Sequence, residues 1–252
     1  MVTSHKAQLV VALDFDRLAP ALALADQLAE FPILFKIGKQ LFTAEGPAAV
    51  REVAKRGRPI FLDLKYHDIP NTVAGAVRAA VDLAPLELLN VHALGGSAMM
   101  KAAADARNSA NSRTRLLGVT ILTSMDAKAL REVGIAGSAK TAVLRLAKLA
   151  KRSGLDGVVC SAQEARDLRK NLGPDFLLLN GGIRPASEIG KKDDQSRKAT
   201  PAFAVAAGAN YLVVGRPINA SREPARVARA VLDEISEAER QRANARSRAV
   251  AS

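Results

Sequence analysis

The chain has 252 residues, 48% apolar and 25% charged, enough for one large α/β domain. No apolar run nears the roughly 20 residues of a membrane span, and the polar Met1–Lys6 start lacks a secretory hydrophobic segment. A single cysteine, Cys160, excludes an internal disulfide and a four-cysteine zinc site and fits a reducing cytoplasm. The net charge of +12 raises nucleic-acid binding as a reading. Against it, Lys and Arg are spread over every helical stretch, Trp is absent, and only two Tyr are available for stacking.

In chain order, short apolar, β-branched runs alternate with Ala/Leu-rich amphipathic stretches. Strands are predicted over Gln8–Leu13, Ile33–Ile37, Ile60–Leu64, Leu88–Val91, Leu116–Leu122, Gly157–Cys160, Phe176–Leu179 and Tyr211–Val214. The intervening patterns predict helices over Leu18–Glu30, Leu41–Arg56, Thr72–Leu83, Ser97–Asn108, Ala139–Arg152, Ala162–Asn171, Pro201–Ala207 and Pro224–Glu239. Near-continuous apolar strands are buried on both faces, as in a parallel sheet. Eight of them, each followed by helical sequence, predict a single α/β (β/α)₈ TIM barrel over residues 1–239. A doubly wound open sheet is the alternative, but no Gly-x-Gly-x-x-Gly follows the first strand. Residues 240–252 read as a basic, frayed C-terminal tail.

A barrel of this kind carries its active site at the C-terminal ends of its strands. Polar residues gather there: Asp14 after the first strand, Lys36 on the second, Asp63, Lys65 and Asp68 after the third, and His92 after the fourth. Thr123 and Ser124 follow the fifth, Asn180-Gly181-Gly182-Ile183-Arg184-Pro185 the seventh, and Gly215-Arg216-Pro217 the eighth. Asp63 and Lys65 are two apart, so an extended strand directs both into the mouth. Asp68, after a turn, can return to this site or cross to a partner subunit. Lys36 can complete an alternating Lys-Asp-Lys-Asp array that holds Lys65 as an ammonium able to donate a proton and Asp63 as a carboxylate able to repel a substrate anion. A structural ion-pair network at the rim is the competing reading. The loops after strands seven and eight read as a phosphate site, with glycines admitting backbone N–H groups and Arg216 supplying a fork. His92 reads as a hydrogen-bonded structural histidine, His67 as peripheral, and Cys160 as core.

These residues together resemble the orotidine 5′-phosphate decarboxylase family. The resemblance runs from about Leu9 to Pro217 on Val-Ala-Leu-Asp14, Phe-Lys36-Ile-Gly, Asp63-Leu-Lys65-Tyr-His-Asp68-Ile-Pro-Asn-Thr72, Asn-Val-His92, Val-Thr-Ile-Leu-Thr123-Ser, Gly-Ile-Arg184-Pro, Asp-Asp-Gln195 and Val-Val-Gly215-Arg216-Pro-Ile. It implies conversion of orotidine 5′-monophosphate to uridine 5′-monophosphate and CO₂, the last step of UMP biosynthesis. No cofactor, metal, nucleic acid or membrane is implied, and the enzyme is expected to be a cytoplasmic homodimer with shared sites. Lys65 would protonate C6, Asp63 would lie beside the substrate carboxylate, and Lys36 and the partner's Asp68 would complete the array. Asp14 and Lys36 would hold the ribose, Thr72 would reach in from the other subunit, and Thr123 would contact the pyrimidine. Arg184, Gln195, Gly215 and Arg216 would serve the phosphate and loop closure, with Pro185–Ala199 as a lid. Asn180-Gly181 stands where the family shows Thr-Pro, which predicts a more flexible loop start. Two rival readings are a Mg²⁺-dependent sugar-phosphate decarboxylase or aldolase of the same barrel group and a basic, non-enzymatic nucleic-acid-binding protein.

Overall fold

Eight parallel strands close into a barrel in sequence order in the computed structural model, which describes residues 6–186 and 197–250. The strands are β1 (Gln8–Ala12), β2 (Leu34–Gly38), β3 (Ile60–Tyr66), β4 (Leu86–His92), β5 (Arg115–Val119), β6 (Gly157–Ser161), β7 (Leu177–Gly181) and β8 (Tyr211–Val214). β8 returns to β1 through the register Leu9↔Leu212 and Val11↔Val214, which closes the ring. The single barrel expected from the strand–helix alternation is therefore present.

Period-two alternation divides each strand between two cores. One set, including Val10, Leu34, Phe61, Leu88, Leu117, Leu179 and Tyr211, forms its own buried cluster inside the barrel. The other packs outward: Leu9, Phe35, Leu62 and Leu89 join a larger cluster with helix residues such as Leu24, Val50, Val77 and Met100. Two residues beyond the inward-facing Leu34, Phe61 and Leu88 come Lys36, Asp63 and Asn90. The apolar plug thus gives way to a polar layer at the C-terminal mouth.

The helices are α1 (Leu18–Gln27), α2 (Lys39–Glu45), α3 (Pro47–Ala54), α4 (Pro70–Val81), α5 (Gly96–Ser109), α6 (Ala127–Glu132), α7 (Ala139–Arg152), α8 (Ala162–Leu172), α9 (Pro201–Ala207), α10 (Arg216–Asn219) and α11 (Pro224–Val250). Several bounds differ from the sequence expectations for identifiable reasons. The single helix expected over Leu41–Arg56 is two, because Gly46 at φ 63° ends α2 and Pro47 starts α3. α6 is an additional helix, capped by the Asp126 carboxylate, which accepts from the N–H groups of Lys128 and Ala129. β5 stops at Val119, short of the expected Leu122, and β3 continues past the expected Leu64 to Tyr66. α11 also passes Glu239 and runs to Val250, so the segment expected to fray continues the helix. Its Ala, Arg and Gln residues are strong helix formers, and no Gly or Pro interrupts them.

Candidate active site

A cavity of about 560 Å³ opens at the C-terminal mouth of the barrel. That is within the usual size of a small-molecule site. Its floor is the top of the apolar plug: Ala12, Phe61, Val119, Val159, Leu179 and Val213. Asp14, Lys36, Asp63, Lys65, Thr123, Arg184, Gly215 and Arg216, all named from the sequence, line its walls, together with Gln40, Gly181 and Gly182.

The charged layer is continuous. Lys36 Nζ donates to Asp14 Oδ1 at 2.9 Å and lies 3.6 Å from Asp63 Oδ2. Lys65 Nζ donates to Asp63 Oδ1 at 2.6 Å. Lys36 and Asp63 are 7% and 8% exposed, so each needs the other's charge to remain ionised. Burial pulls the Lys36 pKa down, but Asp63 and Asp14 outweigh it and hold the ammonium above the ordinary lysine value. Burial pushes Asp63 up, and Lys36, Lys65 and the Asn90 amide outweigh it in turn, holding the carboxyl below the ordinary range. The array therefore presents two ammoniums and a buried carboxylate to whatever fills the cavity.

Lys65 reaches this position by a route that simple alternation does not describe. Its φ is +52°, in the left-handed region that a lysine rarely adopts. β3 and β4 pair Leu62 with Leu89 and then Tyr66 with Val91, so Asp63, Leu64 and Lys65 lie opposite Asn90 alone. The bulge turns the backbone at the strand end and directs the ammonium back onto Asp63. Two residues in this region carry no role from sequence reasoning. The side chain of Asn90 is fully buried between β3 and β4, where it bonds both Asp63 and the Lys65 backbone. Gly38 lies against the array: a Cβ there would sit 2.8 Å from Lys36 Nζ and 3.0 Å from Asp14 Oδ1. For Asn90, inward alternation two residues after Leu88 was the available signal. For Gly38 the signal was its place two residues after Lys36 on the same strand; the nearby Asp14 carboxylate, from the loop after β1, was not readable.

On the opposite wall, Arg184 is 6% exposed and donates from Nη1 to the Ile183 carbonyl. Gly182 has φ 72° and needs to be glycine; Gly181 does not, since a Cβ there would meet open space. Gln195 lies outside the described residues, as does most of the segment expected to act as a lid. Beyond it, Arg197 pairs with Glu164 and donates from Nη2 to the Leu122 carbonyl at 3.0 Å, beside Thr123. Glu164 also accepts from the Ser161 N–H at 2.8 Å, closing a capping box on α8. Burial pushes its carboxyl above the ordinary range despite Arg197.

Asp68 and Thr72 are not brought into the cavity of their own chain. Asp68 is exposed, and its carboxylate accepts from the Ile69 N–H at 2.6 Å; Thr72 is exposed in the first turn of α4. Ser124 lines the cavity. His92 does not, and it stacks on His67 with ring centroids 5.1 Å apart. Its buried Nδ1 has no hydrogen-bond partner among the described residues, in contrast to the hydrogen-bonded histidine expected. Cys160 is core as expected, and burial pushes its thiol pKa up. Among the described residues no group of three His, Cys, Asp or Glu is placed to hold a metal ion.

A family model described as "Orotidine 5′-phosphate decarboxylase / HUMPS family" matches residues 7–231. The chain is 54% identical over 231 residues to a Halorhodospira halophila protein named orotidine 5′-phosphate decarboxylase, covering 92% of this chain and 97% of the relative. A Nitrosococcus oceani protein of the same name is 51% identical over 232 residues, covering 92% and 99%. Among solved structures, orotidine 5′-phosphate decarboxylase from Lactobacillus acidophilus superposes with a TM-score of 0.80 at 37% identity, covering 91% of this chain and 99% of that one.

Proposed function

Because the chain belongs to the orotidine 5′-phosphate decarboxylase / HUMPS family, we propose that it converts orotidine 5′-monophosphate to uridine 5′-monophosphate and CO₂. The observation that carries this reading is the Lys36–Asp63–Lys65 array at one edge of a cavity whose other edge holds Gly182, Arg184, Gly215 and Arg216. One edge suits a carboxylate that must leave, and the other suits a phosphate.

The substrate's phosphate would be held by Arg184, Arg216 and the backbone around Gly215, with Gln195 completing that side. Asp14 and Lys36 would hold the ribose and Thr123 the pyrimidine. The substrate carboxylate would then lie against Asp63, which the two flanking ammoniums keep ionised. The C6–carboxylate bond breaks heterolytically: CO₂ leaves and the electron pair stays on C6. Lys65 delivers its proton to C6, becomes a neutral amine and is reprotonated from solvent. A vinylic carbanion is poorly stabilised in water, so the acceleration must come from charge set in place before the bond breaks. Phosphate contacts far from C6 would supply binding energy for that arrangement and so influence turnover as well as affinity. In this reading the reaction uses no metal or organic cofactor, the ammoniums performing the electrostatic work.

We further propose a cytoplasmic homodimer in which Asp68 and Thr72 serve the partner's cavity. Support comes from their exposure beside Ile69, which is 66% exposed, and Leu94, 42% exposed. Both apolar residues follow the stacked His67 and His92 by two positions, on the rim that the partner would cover in this arrangement. No described helix is long and apolar enough to cross a membrane.

A spectrophotometric assay with orotidine 5′-monophosphate, with and without EDTA, tests the reading. We expect chelator-insensitive turnover in the wild type and a loss of about 10⁴-fold or more in Lys65→Ala with its cooperative melt retained. A near-normal rate in Lys65→Ala would remove Lys65 as the proton donor. Abolition by EDTA would favour the Mg²⁺-dependent sugar-phosphate reading.

A further inference from the structure

We infer that Asn90 is a positioning residue for the reaction: its side-chain amide holds Asp63 and the backbone of Lys65 in register across an irregularity in the barrel. The inference rests on the proposed decarboxylation and deepens it, since Asn90 is absent from the cavity lining and would act only through its two neighbours.

Three observations converge. First, Asn90 is fully buried, and both ends of its amide are engaged with the array. Nδ2 donates to Asp63 Oδ1 at 2.7 Å, the same oxygen that accepts from Lys65 Nζ at 2.6 Å. Oδ1 accepts from the Lys65 N–H at 2.8 Å. Second, that N–H is the one the strand irregularity deprives of an ordinary partner. Between the pairs Leu62↔Leu89 and Tyr66↔Val91, three residues of β3 face Asn90 alone, so the backbone ladder cannot serve all of them. The Asn90 carbonyl stands in for the missing ladder acceptor. Third, Lys65 has φ +52°, a conformation that persists only where the surroundings impose it. The amide is therefore the brace for the one backbone conformation that brings the Lys65 ammonium onto Asp63.

The consequence is geometric. Without the brace, Lys65 can relax toward an extended conformation and Asp63 loses one donor, while the ribose, pyrimidine and phosphate contacts remain. Turnover should suffer and binding should not. In Asn90→Ala we expect kcat to fall by about 100-fold or more, as a misplacement of about 1 Å can cause. KM and the affinity for uridine 5′-monophosphate should stay within about threefold of wild type, the pattern of an interaction realised only in the transition state. A crystal structure of the variant should find Lys65 outside the left-handed region. Asn90→Leu fills nearly the same space with neither donor nor acceptor, so it removes both bonds without opening a cavity and should also lose kcat. If Asn90→Ala does not melt cooperatively, Asn90→Leu is read by the same criteria. The inference is overturned if kcat of the folded variant stays within about threefold of wild type, or if affinity and turnover fall in proportion, as general damage to the site would cause. A wild-type protein that does not decarboxylate orotidine 5′-monophosphate would instead remove the functional reading. The Lys65 backbone in the variant crystal would still decide whether Asn90 braces it.

Discussion

Lys36 and Asp63 show why this site depends on single charges. Each is buried enough that its neutral form would be favoured alone, and each is kept ionised by the other and by a second partner, Asp14 for Lys36 and Lys65 for Asp63. The Asp63–Lys65 spacing was readable from the sequence; the left-handed backbone that joins them was not, because it depends on Asn90 from the next strand. His92 makes a separate residue-scale prediction. Burial, with His67, Lys65 and Lys39 nearby, lowers its pKa from 6.5 to about 4. The unfolded chain therefore takes up this proton first as pH falls, and the contribution of His92 is fully present above about 6.5 and lost progressively toward 4. Thermal melts from pH 7.5 down should fall through that window, and His92→Asn should flatten the decline; equal slopes would exclude His92 as the cause.

Two element ends make contrasting predictions. At the end of β2, a methyl group on Gly38 would press on Lys36 Nζ and on Asp14 Oδ1, the two partners of a part-buried ion pair. Gly38→Ala should therefore lower the melting temperature and, by displacing an active-site ammonium, lower kcat by about 10- to 100-fold. A variant with full activity would show that the position of Lys36 is not critical. At the start of α8, Glu164 both completes the capping box and neutralises Arg197, and the paired side chains are 7% and 12% exposed. Glu164→Ala removes a cap and strands a buried cation, and should destabilise the protein by about 3 kcal/mol in denaturant unfolding. A loss under about 1 kcal/mol would match the cap alone. Most elements were legible in the sequence because apolar period and capping residues act locally. The division of Leu41–Arg56 is also local, in Gly46-Pro47, but the apolar pattern runs through it and masks the break.

At the scale of the whole molecule, one chain builds the barrel, the charged array and the candidate phosphate wall, while Asp68 and Thr72 are exposed and lie outside its own cavity. If the active form is a dimer with shared sites, Asp68→Ala should lower kcat without unfolding the barrel. Turnover per chain should also fall on dilution, in step with dissociation measured by analytical ultracentrifugation. Dissociated chains should be slower by about 100-fold or more, since a displaced charged group costs that much. Monomers with undiminished turnover would end the shared-site proposal.

The sequence by itself determined the eight-fold strand–helix alternation, the rim on which to look, and most of the residues there, because strand period and position at a strand's end are properties of neighbouring residues. The tertiary structure alone decided which groups bond to which. The pairing of Lys36 with Asp14, the approach of Asp14 to Gly38, and the amide of Asn90 spanning Asp63 and Lys65 all join residues of different strands or their loops. A register shift is a relation between strands, so no single strand's sequence contains it.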